Sequence, residues 1–147
     1  MRKTRIFVIL IPLVSCALFA TVYFWSNPMG EPELRIGFYP SPPWHVRPGE
    51  SLHLNLTIRN EGETTAKNVN LTLSASPYFT INQSGTNKYS KTLAKLEIGK
   101  RQSQPITINV LTGITPGNYT ISVTIFAENI PLKSYDYQIT VELPHIP

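Results

Sequence analysis

Four asparagines stand in the Asn-x-Ser/Thr pattern that accepts N-linked glycans. They are Asn55, Asn70, Asn82 and Asn118. Asn55, Asn70 and Asn118 fall on the polar phase of alternating segments, where an attached glycan would project into solvent. Polar residues occupy that phase in any half-buried strand, so the placement alone does not separate glycosylation from ordinary surface polarity. We predict modification of at least one of these asparagines in a host that has the machinery.

The single cysteine, Cys16, offers a second covalent modification. Leu13-Val14-Ser15-Cys16 resembles a bacterial lipobox, in which the cysteine is lipidated. Residues 17–25 continue apolar, whereas mature lipoproteins usually begin with a polar tether. Because the sequence has one cysteine, no internal disulfide is available, and the folded domain must depend on its core.

Sequence patterns typical of catalysis, cofactor binding or metal binding do not occur. The three histidines, His45, His53 and His145, are far apart, and none has a second ligand at a zinc-binding spacing. Asp136 is the sole aspartate, which excludes an Asp-rich calcium loop. Gly-x-Ser-x-Gly, Walker-type and His-Glu-x-x-His motifs are absent from the sequence. We therefore predict a protein that is not an enzyme and carries no metal or cofactor.

Two further groups of residues have side chains suited to ligand binding. Trp44, next to Pro42 and Pro43, is either an exposed platform for a sugar ring or a residue packed over one end of the domain. The second group is a set of cations between the middle strands: Lys88, Lys91, Lys95, Lys100 and Arg101. These cations either keep sheet edges soluble or contact an acidic surface polymer or anionic lipid headgroups.

An apolar run lies near the N-terminus. Residues 6–25 are mostly apolar and uncharged, and a helix of that length spans roughly 30 Å, the thickness of a bilayer's hydrocarbon core. Basic residues within 1–5 place the N-terminus in the cytoplasm and the rest of the chain outside. We predict an uncleaved signal anchor that forms a single transmembrane helix. A cleaved secretory signal and a lipoprotein signal at Cys16 are the alternatives.

Charge and composition describe the remainder of the chain. The formal net charge is +4, but residues 1–5 hold three of the thirteen Lys and Arg residues, which leaves ten against nine carboxylates. A nearly neutral remainder gives no electrostatic footprint for nucleic acid. We expect a short linker at residues 26–32, one domain at 33–143 and a tail at 144–147.

Period-2 alternation of apolar and polar residues organises this domain. Two alternating segments lie within 51–73, separated by the turn Asn60-Glu61-Gly62-Glu63. Further strands are predicted at 33–39, 78–82, 106–110, 118–125 and 134–143, with Trp44–Val46 extending the first strand's edge and a bulge or crossover within 88–98. About seven strands predict an all-β, immunoglobulin-like β-sandwich, in which the two segments of 51–73 lie in opposite sheets. A closed barrel is the alternative.

Four motifs follow one another in the domain. They are Val46-Arg47-Pro48-Gly49-Glu50, the segment from Arg59 to Leu73, Leu93 to Ile98 followed by Gly99, and Pro116-Gly117-Asn118-Tyr119-Thr120. In that order they resemble the CARDB and NEW3 families of prokaryotic surface domains and related Ig-like modules of archaeal envelope proteins. The resemblance covers about residues 33–143 and implies an extracytoplasmic adhesion or accessory module without catalysis. Such domains usually occur in tandem or beside a large enzyme, whereas here one domain follows a predicted membrane anchor.

These features predict a membrane-anchored, single-pass protein whose C-terminal domain is an extracytoplasmic binding or adhesion module of the cell envelope. Its expected partners are the membrane, an envelope protein or surface polymer, and a second copy of the chain through an exposed edge strand. Nucleic acid is not an expected partner. The alternative function is a structural accessory subunit of a membrane machine, such as the stator-like protein of an archaeal motility filament.

Overall fold

The computed structural model describes residues 30–82 and 85–143, and this part of the chain forms nine β-strands. The strands are β1 (Leu34–Tyr39), β2 (Trp44–Val46), β3 (Ser51–Asn60), β4 (Ala66–Ala75), β5 (Phe79–Ile81), β6 (Lys88–Leu96), β7 (Arg101–Val110), β8 (Gly117–Ala127) and β9 (Ile130–Val141). They form two sheets with the strand orders β1-β3-β7-β5 and β2-β9-β8-β4-β6. The predicted all-β architecture of two sheets is confirmed. Within these ranges no helix is long and apolar enough to cross a membrane, and the span predicted at 6–25 lies outside them.

The core lies between the two sheets because alternate side chains of each strand point inward. The largest side chains that are almost completely buried are Leu34, Leu56, Val69, Leu71, Leu73, Phe79, Ile81, Ile106, Ile108, Ile121, Ile125 and Ile139. They come from strands of both sheets, so burial of this apolar layer is what holds the sandwich together.

The two segments of residues 51–73 lie in opposite sheets, as predicted. β3 pairs with β1 and β7, whereas β4 pairs with β6 and β8. The connection at 61–65 therefore crosses from one sheet to the other instead of closing a hairpin. This crossing is a feature of immunoglobulin-like sandwiches.

The position predicted for Trp44–Val46 is wrong. We expected it to extend the edge of the first strand, but β2 pairs in parallel with Ile139–Val141 of β9 in the other sheet. Pro40, Pro42 and Pro43 cannot donate to a ladder, so the chain leaves the first sheet there.

The interpretation of residues 88–98 as a bulge or crossover is also wrong. β6 is a continuous strand from Lys88 to Leu96 at the edge of its sheet, paired antiparallel to β4. Lys91 lies opposite buried Leu71 and therefore on the inward face, because directly opposite residues share a face. This inward charge interrupts the apolar period that would have marked the strand. β2 and β6 account for the difference between about seven predicted strands and the nine observed.

β7 is longer than the segment predicted at 106–110. It continues through Pro105, where the prediction had ended it. Proline is unfavourable in a central strand, where its missing N–H would break a ladder. Pro105 is tolerated because β5 pairs only with Ile108–Val110 and leaves the rest of that side of β7 open. The strand therefore begins five residues earlier than expected, at Arg101.

Asn60 holds the loops at one end of the sandwich together. It is completely buried, and its Nδ2 donates to the carbonyl oxygens of Thr64 (2.8 Å) and Leu96 (2.9 Å). Its Oδ1 accepts from the Gly62 N–H at 3.1 Å. Its backbone bonds to Gly99 and Lys100 fix the turn that leads into β7. Asn60 thus sets the positions of two loops relative to β3 and β7.

Candidate functional site

Three arginines lie side by side on the outer face of the sheet β1-β3-β7. Arg35 of β1 is directly opposite Arg59 of β3, and Arg59 is directly opposite Arg101 of β7. We call these three residues the arginine row. Directly opposite residues on adjacent strands have neighbouring side chains, so three like charges in this arrangement repel one another. Considered by itself, the arginine row therefore lowers the stability of the fold.

The carboxylates near the arginine row do not neutralise all of it. Glu61 lies 2.8 Å from Arg35 Nε and 3.3 Å from Arg59 Nη1, and Glu33 accepts a hydrogen bond from Arg35 Nε at 3.4 Å. The guanidinium of Arg101 has no hydrogen bond or ion pair to the described part of the chain. Lys100 adds a further exposed cation at the same corner. Two carboxylates thus face four cations, and Arg101 is left without a partner.

The next row along the strands consists of small residues: Gly37, Thr57 and Ser103 lie directly opposite one another on β1, β3 and β7. Nothing lies within 4 Å of the position a Cβ on Gly37 would take. Thr57 and Ser103 form a hydroxyl–hydroxyl contact of 3.3 Å. These three residues form the floor of a trough that has the arginine row as one wall. An open depression of ≈ 500 Å³ reaches from Thr57 to Lys100 and Arg101.

The opposite wall of the trough carries an aromatic ring. Tyr39 lies opposite Asn55, and Asn55 lies opposite Pro105. Tyr39 is 79% exposed, the largest value among the exposed apolar and aromatic side chains of the described residues. A second depression beyond this row is lined by hydrogen-bonding side chains, namely Ser51, His53, Asn82, Thr107 and Asn109, together with Pro105. The face as a whole offers cations, amides, hydroxyls and one aromatic ring.

The predicted basic cluster divides between the two sheets. Lys88, Lys91 and Lys95 lie on the edge strand β6, whereas Lys100 and Arg101 join the arginine row of the other sheet. On β6, a hydrogen bond from Lys95 to Glu97 (2.7 Å) and its charge lower the pKa of the Glu97 carboxyl. The β6 lysines therefore fit the role of protecting an edge, and only the second group lies on the candidate site.

Trp44 is packed and does not form a sugar platform. Its side chain is 3% exposed, and its ring lies 5.1 Å from Phe38 and 5.9 Å from Tyr137, measured between ring centroids. Its Nε1 donates to the Pro40 carbonyl oxygen at 2.9 Å. Since Phe38 belongs to one sheet and Tyr137 to the other, Trp44 joins the two sheets at one end of the sandwich. The packing alternative is confirmed.

The four sequon asparagines differ in their surroundings. Asn55, Asn70 and Asn118 are exposed, whereas Asn82 is half-buried and its Oδ1 accepts from the Thr107 N–H at 3.0 Å. Asn70 is engaged through both side-chain atoms, with Thr92 and with the Asn68 carbonyl. Glycosylation at these four positions stays a prediction. Cys16, the predicted lipidation site, lies outside the described residues.

The histidines are separated, as their spacing in the sequence suggested. His45 Nδ1 is 2.8 Å from Glu142 on one edge, and His53 Nδ1 is 3.2 Å from the Thr107 hydroxyl on the outer face of the other sheet. His145 lies outside the described residues. In the part of the chain that the structure describes, no three His, Cys, Asp or Glu side chains group closely enough to hold a metal ion.

Sequence reasoning did not find the arginine row. Alternation puts Arg35 and Arg59 on the polar phase of their strands, but it does not give the register between strands. Arg101 also lay outside the predicted strands, the nearest of which was expected to begin at residue 106. The signal that was available is that Arg59 precedes the turn at residues 60–63 and Arg101 follows the turn at residues 98–99.

Comparison with known proteins decides the family. The CARDB family model matches residues 31–132. The chain belongs to the CARDB family. The resemblance of its turn and strand motifs to CARDB is thereby confirmed. A search of curated proteins finds no significant match to this CARDB chain.

Solved structures show the same fold at low sequence identity. The CARDB domain of a Pyrococcus furiosus protein, solved in complex with di-metal ions, is 14% identical with a TM-score of 0.51, covering 74% of this chain and 89% of that one. A family 123 glycoside hydrolase from Clostridium perfringens is 16% identical (TM-score 0.53), and Escherichia coli α2-macroglobulin is 20% identical (TM-score 0.53). Each alignment covers 78% of this CARDB chain but only 28% of the hydrolase and 7% of the macroglobulin, so the similarity is that of one domain.

Proposed function

We propose that this CARDB protein is a membrane-anchored, extracytoplasmic binding or adhesion module of the cell envelope, without catalytic activity. The observation that carries the proposal is Arg101, an exposed cation without a partner at the end of a row of three directly opposed arginines. An arrangement that costs folding free energy is expected to persist where a ligand uses it. The apolar residues 6–25 support the membrane anchor.

The face has the properties of a binding surface. Its side chains project from the continuous strands β1, β3 and β7, and backbone ladders hold those strands in register. Because the sheet already fixes the backbone, the ordering cost of binding is limited to that of the side chains. The surface is broad and open, which suits an extended ligand better than a small substrate enclosed in a deep pocket.

Protease treatment of cells tests the location. Protease added to intact cells, with the outer layer permeabilised where there is one, should remove the domain, while a cytoplasmic control protein survives. If the domain is protected in intact cells and digested only after lysis, the extracytoplasmic location is wrong.

Crosslinking on living cells followed by mass spectrometry tests the binding role. Crosslinks from the face that carries Lys100 to envelope components support the proposal. A stable stoichiometric complex with other membrane proteins on purification would instead favour the accessory-subunit alternative.

A further inference from the structure

We propose that the trough on the outer face of β1-β3-β7 binds an acidic polysaccharide. The arginine row would bind its carboxylates, and Tyr39 would stack against a sugar ring. The ligand class rests on the proposed binding function and makes it specific. The trough crosses three strands between the wall formed by Arg35, Arg59 and Arg101 and the wall that carries Tyr39.

The cationic wall can hold an anionic group. Arg59 shares Glu61 with Arg35, and Arg101 has no carboxylate at all in the part of the chain described. Guanidinium groups bind carboxylates through two parallel N–H donors. The unpaired guanidinium of Arg101 can therefore donate to both oxygens of a ligand carboxylate. A bound carboxylate would also relieve the repulsion within the arginine row.

The dimensions of the trough suit a carbohydrate chain. Arg35 and Tyr39 are four residues apart on β1, which separates the two walls by roughly 13 Å, and adjacent strands lie roughly 5 Å apart. The floor is low because Gly37, Thr57 and Ser103 are small, and it presents two hydroxyl groups. An exposed tyrosine ring beside a polar floor is suited to the apolar face of a sugar.

The charge distribution favours a ligand on this face over a flat anionic membrane. Among the described residues, the end of the sandwich that carries the arginine row has six cations, Arg35, Arg59, Lys67, Lys95, Lys100 and Arg101. The same end has six carboxylates, Glu31, Glu33, Glu61, Glu63, Glu97 and Glu128. A planar surface against that end would meet both sets and gain no net attraction. A chain lying in the trough meets the arginines.

Calorimetric titration tests the proposal with the full-length chain in neutral detergent. The probe is oligogalacturonate, and its matched control is the same oligosaccharide with its carboxylates methyl-esterified. We expect the acidic form to bind at least about tenfold more tightly, because the ester removes the charge that the arginines recognise. The affinity should also fall as salt concentration rises.

Variants locate the site. Arg101→Gln should weaken oligogalacturonate binding by about threefold to tenfold, whereas Arg47→Gln, at an exposed arginine elsewhere, should leave it unchanged. Gly37→Val fills the floor of the trough in a strand position that accepts a β-branched residue, so it should weaken binding while the domain stays folded. Ser103→Gln is a second floor-filling variant. Tyr39→Ala should weaken binding, and Tyr78→Ala, at another exposed tyrosine, should not.

Other outcomes would overturn the proposal. The proposal is wrong if oligogalacturonate does not bind, or if its methyl ester binds equally well. It is also wrong if Arg101→Gln and both floor-filling variants bind oligogalacturonate as tightly as the wild type does. If polyglutamate binds as tightly as oligogalacturonate, the ligand is an acidic peptide and not a polysaccharide. If glycerophosphorylglycerol does so, the ligand is a lipid headgroup. The protease and crosslinking experiments do not depend on the trough. They would still support a surface binding module if the polysaccharide assignment failed.

Discussion

At the scale of single residues, the turn after β3 shows what a sequence can and cannot predict. Asn60-Glu61-Gly62-Glu63 is recognisable as a turn from residue types alone. The sequence does not show that Asn60 is fully buried or that it bonds to Leu96 in a distant segment, because both depend on how two loops meet. Local chemistry predicted the turn, and tertiary contacts determine its importance.

Gly62 is expected to tolerate no side chain. A Cβ there would overlap the backbone of Glu31 and Glu33 and would lie 2.6 Å from the Pro32 carbonyl carbon. The entering chain is fixed against this turn by Glu61 N–H to Glu33 C=O (2.7 Å) and Glu63 N–H to Glu31 C=O (3.1 Å). Gly62→Ala should therefore lower the free energy of unfolding by about 2–3 kcal/mol, measured by urea denaturation.

The matched control for that substitution is Gly113→Ala, since nothing lies within 4 Å of a Cβ at position 113. We expect its unfolding midpoint to stay close to that of the wild type. If Gly62→Ala and Gly113→Ala behave alike, the close approach of residues 31–33 to the turn is wrong.

Tyr137 is expected to make the folded domain less stable as the pH becomes alkaline. Burial, and then the neighbouring Tyr135, raise the pKa of the Tyr137 hydroxyl above its ordinary value of about 10. A raised folded-state pKa means that this contribution to stability is complete below about pH 10 and is lost as the pH rises through the folded-state value. Wild-type protein should therefore lose more stability between about pH 8 and pH 11 than Tyr137→Phe.

Urea unfolding at the two pH values measures this difference. Tyr78→Phe, at an exposed tyrosine, serves as the control and should follow the wild type. An identical alkaline loss in wild type and Tyr137→Phe would show that burial does not raise the pKa of the Tyr137 hydroxyl in the folded protein.

At the scale of elements, strands with a clean alternation were predictable, whereas β2 and β6, the two edge strands of the five-stranded sheet, were not. β3, β4 and β8 carry apolar residues at every second position along most of their length, because one face of each is buried. β6 does not, because an edge strand has little core to cover and carries Lys91 on its inward face. β2 was misplaced because three residues have too short a pattern to indicate which sheet they join.

The inward Lys91 should protect β6 from pairing with a second copy of the chain. An inward-facing charge on an edge strand disfavours edge-to-edge association, because pairing would bury it. Lys91→Ile removes the charge and extends the apolar stripe formed by Tyr89 and Leu93. We expect this variant to dimerise at concentrations where the wild type is monomeric, as measured by sedimentation velocity.

Lys88→Ile removes a lysine from the outward face of the same strand and is the control. It should remain monomeric, since the outward face is solvated in any case. Dimerisation of both variants to the same extent would mean that overall charge, and not the inward position, keeps β6 unpaired.

At the scale of the whole molecule, fold class followed from the sequence, but the candidate site did not. Alternation, turns and the CARDB-like motifs were sufficient for an all-β domain of two sheets. The arginine row needs the register of two strand pairs, β1 with β3 and β3 with β7, across long stretches of sequence. Register is set by the burial of all strands together, so no single segment contains it.

The effect of a glycan on ligand binding is expected to depend on which outer face of the sandwich carries the sequon. Asn55 lies between Tyr39 and Pro105 on the face that carries the trough, whereas Asn118 lies on β8 of the opposite sheet. A glycan on Asn55 would cover the trough. We therefore expect protein glycosylated at Asn55 to bind oligogalacturonate at least about tenfold more weakly than unglycosylated protein.

Asn55→Gln and Asn118→Gln separate the two faces when the chain is produced in a host that adds N-glycans. Asn55→Gln should restore oligogalacturonate binding, and Asn118→Gln should leave it blocked, with mass spectrometry confirming occupancy of each sequon. Full binding by protein that carries a glycan on Asn55 would contradict the placement of the ligand, because an oligosaccharide attached beside Tyr39 cannot share the trough with a second one. Glycosylation at Asn55 and ligand binding are thus alternative uses of one face, and occupancy of a single sequon would decide which one the protein has.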